Sequence, residues 1–203
     1  STLVLAATNQ FLEAHNKKNC LTALHVNHQT QSDSSSWQIH CEKFCKEHNI
    51  NFSCKSVEIK ESGQGYEAAA RSARLDIFNA FDEATVIILG HHLDDQVETV
   101  FFRVLRGTGL KGLTGMQRHL KIKDKDFIRP LLHLTKEEIF KQATEYKLSF
   151  IEDQSNTDNA YSRNFLRNEI IPQISKRWPG AKKNTARMAN LLAKQSSLYH
   201  RFL

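Results

Sequence analysis

Along this chain the spacing of apolar residues switches repeatedly between the period of a helix and that of a strand, and the switches mark its elements. "STLVLAATNQFLEAH", from Ser1 to His15, opens directly on an amphipathic helical pattern. "LTALHVNH" at 21–28 is an apolar run of strand length, followed by a polar Ser/Gln-rich loop at 29–36 and a helix through "WQIHCEKFCKEHN". Then come a strand near "FSCKSVEI" at 52–59, a glycine-containing loop, a helix from about Tyr66 to Phe81, and "TVIIL", which reads as a buried strand. Strands alternating strictly with helices predict parallel βαβ units with right-handed crossovers.

Beyond Leu93 the apolar positions Val97, Val100, Phe101, Val104 and Leu105 fall on one helical face, which predicts a core-facing helix. Asp95, Glu98 and Arg106 lie on its opposite side, and "RGTGLKGLTG" after it has too many glycines to be anything but a loop. A short strand at "FIRPLL" precedes "TKEEIFKQATEYKL", where Thr135 and Glu138 have capping-box spacing. "IEDQSNTDNAYSRNFLRNEIIPQISKRWPG" begins as a polar loop and turns helical near Tyr161, and an amphipathic helix runs from about Ala181 to Leu203. The expected architecture is α/β, a Rossmann-like parallel sheet flanked by helices with a helical C-terminal extension. It is organised as an α/β domain over 1–150, a loop and helix completing its site over 151–180, and a linker helix over 181–203.

The 203 residues, 40% of them hydrophobic, can bury a core. No apolar run is long enough to cross a bilayer, and no basic-then-apolar leader opens the chain, which reads as cytosolic with no membrane partner. Cys20, Cys41, Cys45 and Cys54 form no CxxC pair and read as ordinary thiols. A formal charge of +6 favours a polyanionic partner, although a mildly basic surface alone often serves only solubility.

"GHHLDDQVET", from Gly90 to Thr99, places ionisable groups directly behind an apolar strand. In open parallel sheets, ligands bind beyond the carboxyl ends of the strands, where this segment begins. Asp94 and Asp95 there can hold Mg²⁺ against substrate phosphates, since Mg²⁺ takes oxygen ligands and usually only one or two protein carboxylates. Equally, a carboxylate can cap the helix N-terminus, and the expectation is that Asp94 caps and Asp95 binds metal. His91 and His92 are either hydrogen-bonded loop residues or, with "HVNH", part of a histidine-aspartate metal centre.

Six blocks in order carry a resemblance: "HVNH" at 25–28, "EAAARSAR" at 67–74, "GHHLDDQVET", "RGTGLKGL" at 106–113, "RPLL" at 129–132, and "EDQSN" followed by "YSRNFLR" ending at Arg167. Together they resemble the tRNA(Ile)-lysidine synthetase family of PP-loop ATP pyrophosphatases, whose fold is also adenine nucleotide alpha hydrolase-like. The resemblance implies that ATP adenylates the wobble cytidine of an isoleucine tRNA with a CAU anticodon and that free L-lysine displaces AMP, giving lysidine. It implies ATP and Mg²⁺ as cofactors, with ATP contacts at Ser1, Thr2, His25, Gly90 and His91. Catalytic roles fall to Asp94, Asp95 and Arg163, with Asp95 on the metal, and RNA contacts to Arg71, Arg74, Arg106, Lys111 and Arg167. The family's Ser-Gly-Gly-x-Asp-Ser phosphate loop would retain only its last serine here, as Ser1, so upstream residues are expected. Where the family follows "HVNH" with Gly-Leu-Arg, this chain has "QTQ" at 29–31.

Spacing alone reads Arg71 and Arg74, with Glu67 one turn before Arg71, as a solvated helix face. Asp153, Ser155 and Asn156 read as turn formers, and one of Phe101 and Phe102 is expected to line the site. Three other readings stay open: a tRNA thiolase, which usually wants paired cysteines; a metal-dependent phosphohydrolase using "HHLDD" with His25 and His28; and a non-catalytic RNA-binding fragment. The oligomeric state stays open between monomer and homodimer.

Overall fold

The computed structural model describes residues 1–27, 34–57, 66–151 and 154–202. The polar loop at 28–33, the loop at 58–65, His28 and Asp153 lie outside the described residues, as do the side chains of Glu67 and Ser155. In chain order the elements are α1 (Thr2–Ala14), a 3₁₀ turn (Lys18–Cys20), β1 (Thr22–Asn27), α2 (Ser34–Glu47), β2 (Asn51–Ser56), α3 (Tyr66–Ala80), β3 (Val86–Ile88) and α4 (Leu93–Leu105). They continue with α5 (Leu110–Leu113), β4 (His119–Ile122), β5 (Lys125–Ile128), α6 (Lys136–Glu145), a 3₁₀ turn (Gln154–Thr157), α7 (Ser162–Phe165), a π-helical segment (Leu166–Ile170), α8 (Ile171–Arg177) and α9 (Ala181–Phe202).

Two compact units emerge, one comprising Thr2–Ile87 with Lys121–Asp126 and the other Ser1, Ile88–Leu120 and Phe127–Leu203. In the first, β1 pairs with β2 in parallel, from Thr22 opposite Asn51 to Asn27 opposite Ser56. The connection runs through α2, the predicted βαβ unit. Val4, Phe44, Cys45, Ile50 and Phe81 are buried there. Lys125 is also buried, its ammonium donating to the carbonyls of Phe81 and Ala84 just beyond α3, so the charge is satisfied by backbone left over from a helix end.

A second sheet has the order β3, β5, β4. The amide of Asp126 donates to the Thr85 carbonyl and that of Leu89 to the Ile128 carbonyl, so β3 and β5 run the same way. β4 and β5 form a hairpin that the sequence reading missed. Its two-residue turn, Lys123–Asp124, puts the lysine and not the aspartate at φ 52, a left-handed conformation usually signalled by Gly, Asn or Asp, so the residue at the decisive position did not announce it. "TVIIL" was expected to be buried, yet only Ile87 is, while Val86 and Ile88 are 45% and 37% exposed. A run of β-branched residues signals strand but does not say how many faces are covered.

α4 carries the first part of its predicted face into the core: Leu93 and Val97 cluster with Leu166 and Ile171, and Phe101, Phe102, Ile170 and Ala186 pack against them. Val104 and Leu105 in its last turn, also expected in the core, are instead 49% and 71% exposed. Glycine richness hid the short α5 inside the expected loop. That loop is pinned to α4. Gln96, buried, donates from Nε2 to the Met116 carbonyl and accepts from the Met116 amide, while Arg103 donates to the carbonyls of Gly112 and Gly115. Gly115 sits at φ 61, and a Cβ there would lie 2.6 Å from the Gln96 side chain. Gly115→Ala is therefore expected to lower the unfolding free energy by about 1–3 kcal/mol, measured as a shifted urea midpoint at unchanged slope.

Candidate active site

The site begins where the chain leaves β3. Gly90 and His91 form the link, and His92, in extended conformation, becomes the N-cap of α4. Its Nδ1 accepts the Asp95 amide at 3.4 Å while Asp95 Oδ2 accepts the His92 amide at 3.0 Å, a reciprocal capping box. This corrects the expectation that Asp94 caps the helix: His92 and Asp95 do so. Asp94 reaches outward, accepting the Lys136 amide at the start of α6 (2.7 Å) on one oxygen and the Lys182 ammonium from the first turn of α9 (2.6 Å) on the other. Burial raises the Asp94 pKa, but these hydrogen bonds outweigh it and hold the carboxyl below the usual carboxylate value.

One turn further along α4, Glu98 was expected on the polar side. It is instead 1% exposed. Two arginines cover it: Arg167 forks onto it through Nε (2.7 Å) and an Nη atom (2.8 Å), and Arg163 donates from Nε at 3.2 Å. A second donor of Arg163 reaches the Thr99 hydroxyl at 2.9 Å, and Arg167 also donates to the Asn156 side-chain oxygen at 2.7 Å and stands 3.9 Å from Asp95. The Arg167 pKa is raised, chiefly by its hydrogen bond to Glu98, so it stays charged. α7 provides Arg163 and the π-helical segment Arg167, anchored by Leu166 and Ile171 in the core beside α4. π-helical turns of this kind are rare and often mark functional sites.

Of these groups Asp94, Asp95, Glu98 and Arg167 line an open groove of about 990 Å³ together with Phe140 and Lys182, while Arg163 is not among its lining residues and reaches it only through Glu98. Asp94, Asp95 and Glu98 are balanced by Lys182, Arg163 and Arg167, so the inner end carries both signs at close quarters. Carboxylate oxygens suit a hard cation, and Mg²⁺ needs only one or two of them. Both Asp94 oxygens are engaged, whereas Asp95 Oδ1 meets Arg167 at 3.9 Å, beyond hydrogen-bond distance. Asp95 therefore fits a metal with the lesser rearrangement. Among the described residues, no group of three or more His, Cys, Asp or Glu could hold a metal by itself. His91 accepts from Arg129 at 3.3 Å and His92 caps α4, so the two histidines have separate tasks.

The structure thus gathers Asp94, Asp95, Arg163 and Arg167, with Gly90 and His91 in the link that leads into them. Arg106 ends α4 with its guanidinium 5.2 Å over the Phe102 ring, and Lys111 is exposed on α5. Phe101 and Phe102 both pack on the core, and neither is among the residues lining the groove. Ser1 is exposed. In the other unit, Thr2 opens α1, half-buried His25 on β1 has a pKa lowered by burial, and Arg71 and Arg74 are exposed on α3. Sequence reasoning missed the roles of Glu98 and Lys182. The only signal for Glu98 was its place one turn beyond Asp95, and Lys182 had none.

The family model described as a PP-loop domain matches residues 1–174. The chain is 39% identical over 184 residues to a tRNA(Ile)-lysidine synthase of Histophilus somni, covering 90% of this chain and 43% of that protein. It is 36% identical over 204 residues to one of Escherichia coli O157:H7, covering 100% and 47%. The chain spans less than half the length of these relatives. Among solved structures, it matches a U34-tRNA thiolase of Methanococcus maripaludis with its [4Fe-4S] cluster at a TM-score of 0.75 and 19% identity, over 95% of this chain and 68% of that one, a likeness of fold.

Removing a buried carboxylate strands the cations around it. Glu98→Ala is expected to cost about 3 kcal/mol in chemical denaturation. Asp94→Asn should destabilise by roughly 1–3 kcal/mol at neutral pH. Because the folded Asp94 carboxyl titrates below its unfolded value, its contribution is complete above about pH 4 and fades as the pH falls further through the depressed value. The gap between wild type and Asp94→Asn in a pH series of thermal melts should close there, from the acid side only.

Proposed function

This chain belongs to the PP-loop domain family, and from that premise we propose that it carries the active site of an ATP-dependent ligase joining lysine to the wobble cytidine of an isoleucine tRNA with a CAU anticodon. The observation that supports this best is the juxtaposition of the Asp94–Asp95 pair with two arginines fixed on one buried glutamate. Adenylation joins the cytidine C2 oxygen to the α-phosphorus of ATP and expels pyrophosphate. The lysine amine then attacks C2, AMP leaves, and the amine gives up its proton. Both steps need an anionic phosphate held still while charge moves on it.

Asp95, with Asp94 beside it, would hold Mg²⁺, which when bound supplies charge neutralisation at the phosphates. Arg163 and Arg167 are fixed by Glu98 before substrate arrives, so little reorganisation is needed when a phosphate oxygen gains charge. In this reading Arg163 acts on the reacting phosphate and Arg167 grips RNA. Arg71, Arg74, Arg106 and Lys111 are assigned to the RNA backbone, and Ser1, Thr2, His25, Gly90 and His91 to ATP. The protein works in the cytoplasm, with lysine as the second substrate.

Sulfur transfer is the reading that the fold neighbour invites, and three of the four thiols speak against it. Burial, then proximity to Cys41, pushes Cys45 up to about 11, and burial likewise raises Cys41 and Cys54. Thiols held protonated are poor nucleophiles.

In the full-length protein, Asp95→Asn should fold yet abolish AMP formation and lysine incorporation; near-normal turnover would remove Asp95 from the metal. Arg163→Lys should slow the single-turnover step by roughly a hundredfold at saturating tRNA, because lysine keeps the charge and loses the planar fork. A lysine variant with full rate but weak tRNA binding would assign Arg163 to RNA instead.

A further inference from the structure

The groove continues past its charged end, and its outer part has no task in the chemistry above. There Phe140 of α6 lies 46% exposed, and Phe150, 38% exposed, meets it edge to face with ring centroids 5.0 Å apart at 66°. Phe140 lines the groove together with Lys136, Lys141 and Glu137, two cations against one anion, while Lys182 is taken up by Asp94. A half-exposed aromatic pair with lysines beside it, in a groove leading to Asp94, Asp95 and Glu98, has the composition of a surface for unpaired nucleic acid: rings for bases, cations for phosphates. The groove's volume, about 990 Å³, is at the top of the range that holds a single compact ligand, roughly 300–1,000 Å³. It has room for more than the reacting base.

Resting on the proposal that the substrate is RNA, we propose that Phe140 is a stacking platform for an unpaired nucleotide beside the one that is modified. Lys136 and Lys141 neutralise the phosphates of that strand, and Phe150 holds the Phe140 ring in orientation. Base stacking is indifferent to base identity, so this contact gives affinity and direction of entry, while selection of the cytidine belongs to the inner end.

The test uses the full-length protein and a short single-stranded RNA with the sequence of the anticodon loop, against a duplex of equal length. In Phe140→Trp, indole emission should be quenched by the single strand beyond the change seen in wild type, because a stacked base lies on the ring. Phe140→Ala and Phe140→Leu, checked by thermal melts, should each bind the single strand about tenfold more weakly, equivalent to about 1.4 kcal/mol, with duplex binding unchanged. Leucine keeps apolar packing against Phe150, so matched losses in the two variants point to the ring. Wild-type affinity in both variants, or an unquenched Phe140→Trp that still binds the strand, overturns the platform and leaves the ligase proposal standing. Failure of wild type to bind either RNA overturns both.

Discussion

A single buried carboxylate organises the charged groups that α4, α7 and the π-helical segment bring together. Glu98 is 1% exposed, and an isolated charge in that position would be prohibitively costly. It is tolerated because Arg163 and Arg167 supply three hydrogen bonds to its two oxygens. The dependence runs both ways: both arginines hold fixed positions, Arg167 at the groove wall, because a carboxylate lies behind them. Charge-assisted pairs of this geometry are strong, and the bidentate fork of Arg167 adds direction to strength.

Around this pairing the remaining polar groups are arranged by helix ends. The N-terminus of α4 favours negative charge, and two aspartates stand in its first turn. Asp95 turns inward to close the capping box, while Asp94 turns outward and ties α4 to the first residues of α6 and α9. Three helices thus meet at one carboxylate, and the Lys182 ammonium is the counter-ion that a divalent cation at Asp94 would have to replace.

Much of this was legible in the sequence, for identifiable reasons. The period of Val97, Val100 and Phe101 gave the buried face of α4, and Thr135 with Glu138 gave the start of α6, where the capping box forms as expected. The ordered motifs gave the PP-loop family. The burial of Glu98 was not legible, because its partners lie 65 and 69 residues away and a glutamate beside a polar helix face ordinarily stays in water. The bond from Lys182 to Asp94 spans 88 residues and left no local trace. The cap was misassigned to Asp94 because histidine rarely occupies that place, where Ser, Thr, Asp and Asn dominate.

The claim that these groups serve one ligation is tested most directly on the wobble nucleoside itself. The full-length protein would be incubated with ATP, Mg²⁺, isotopically labelled lysine and an isoleucine tRNA bearing a CAU anticodon, and the digested nucleosides identified by mass spectrometry alongside released AMP. The account predicts labelled lysine covalently attached to the wobble cytidine, with one AMP released per lysine joined. AMP without lysine on that cytidine, or an unmodified cytidine with no ATP consumed, would contradict it.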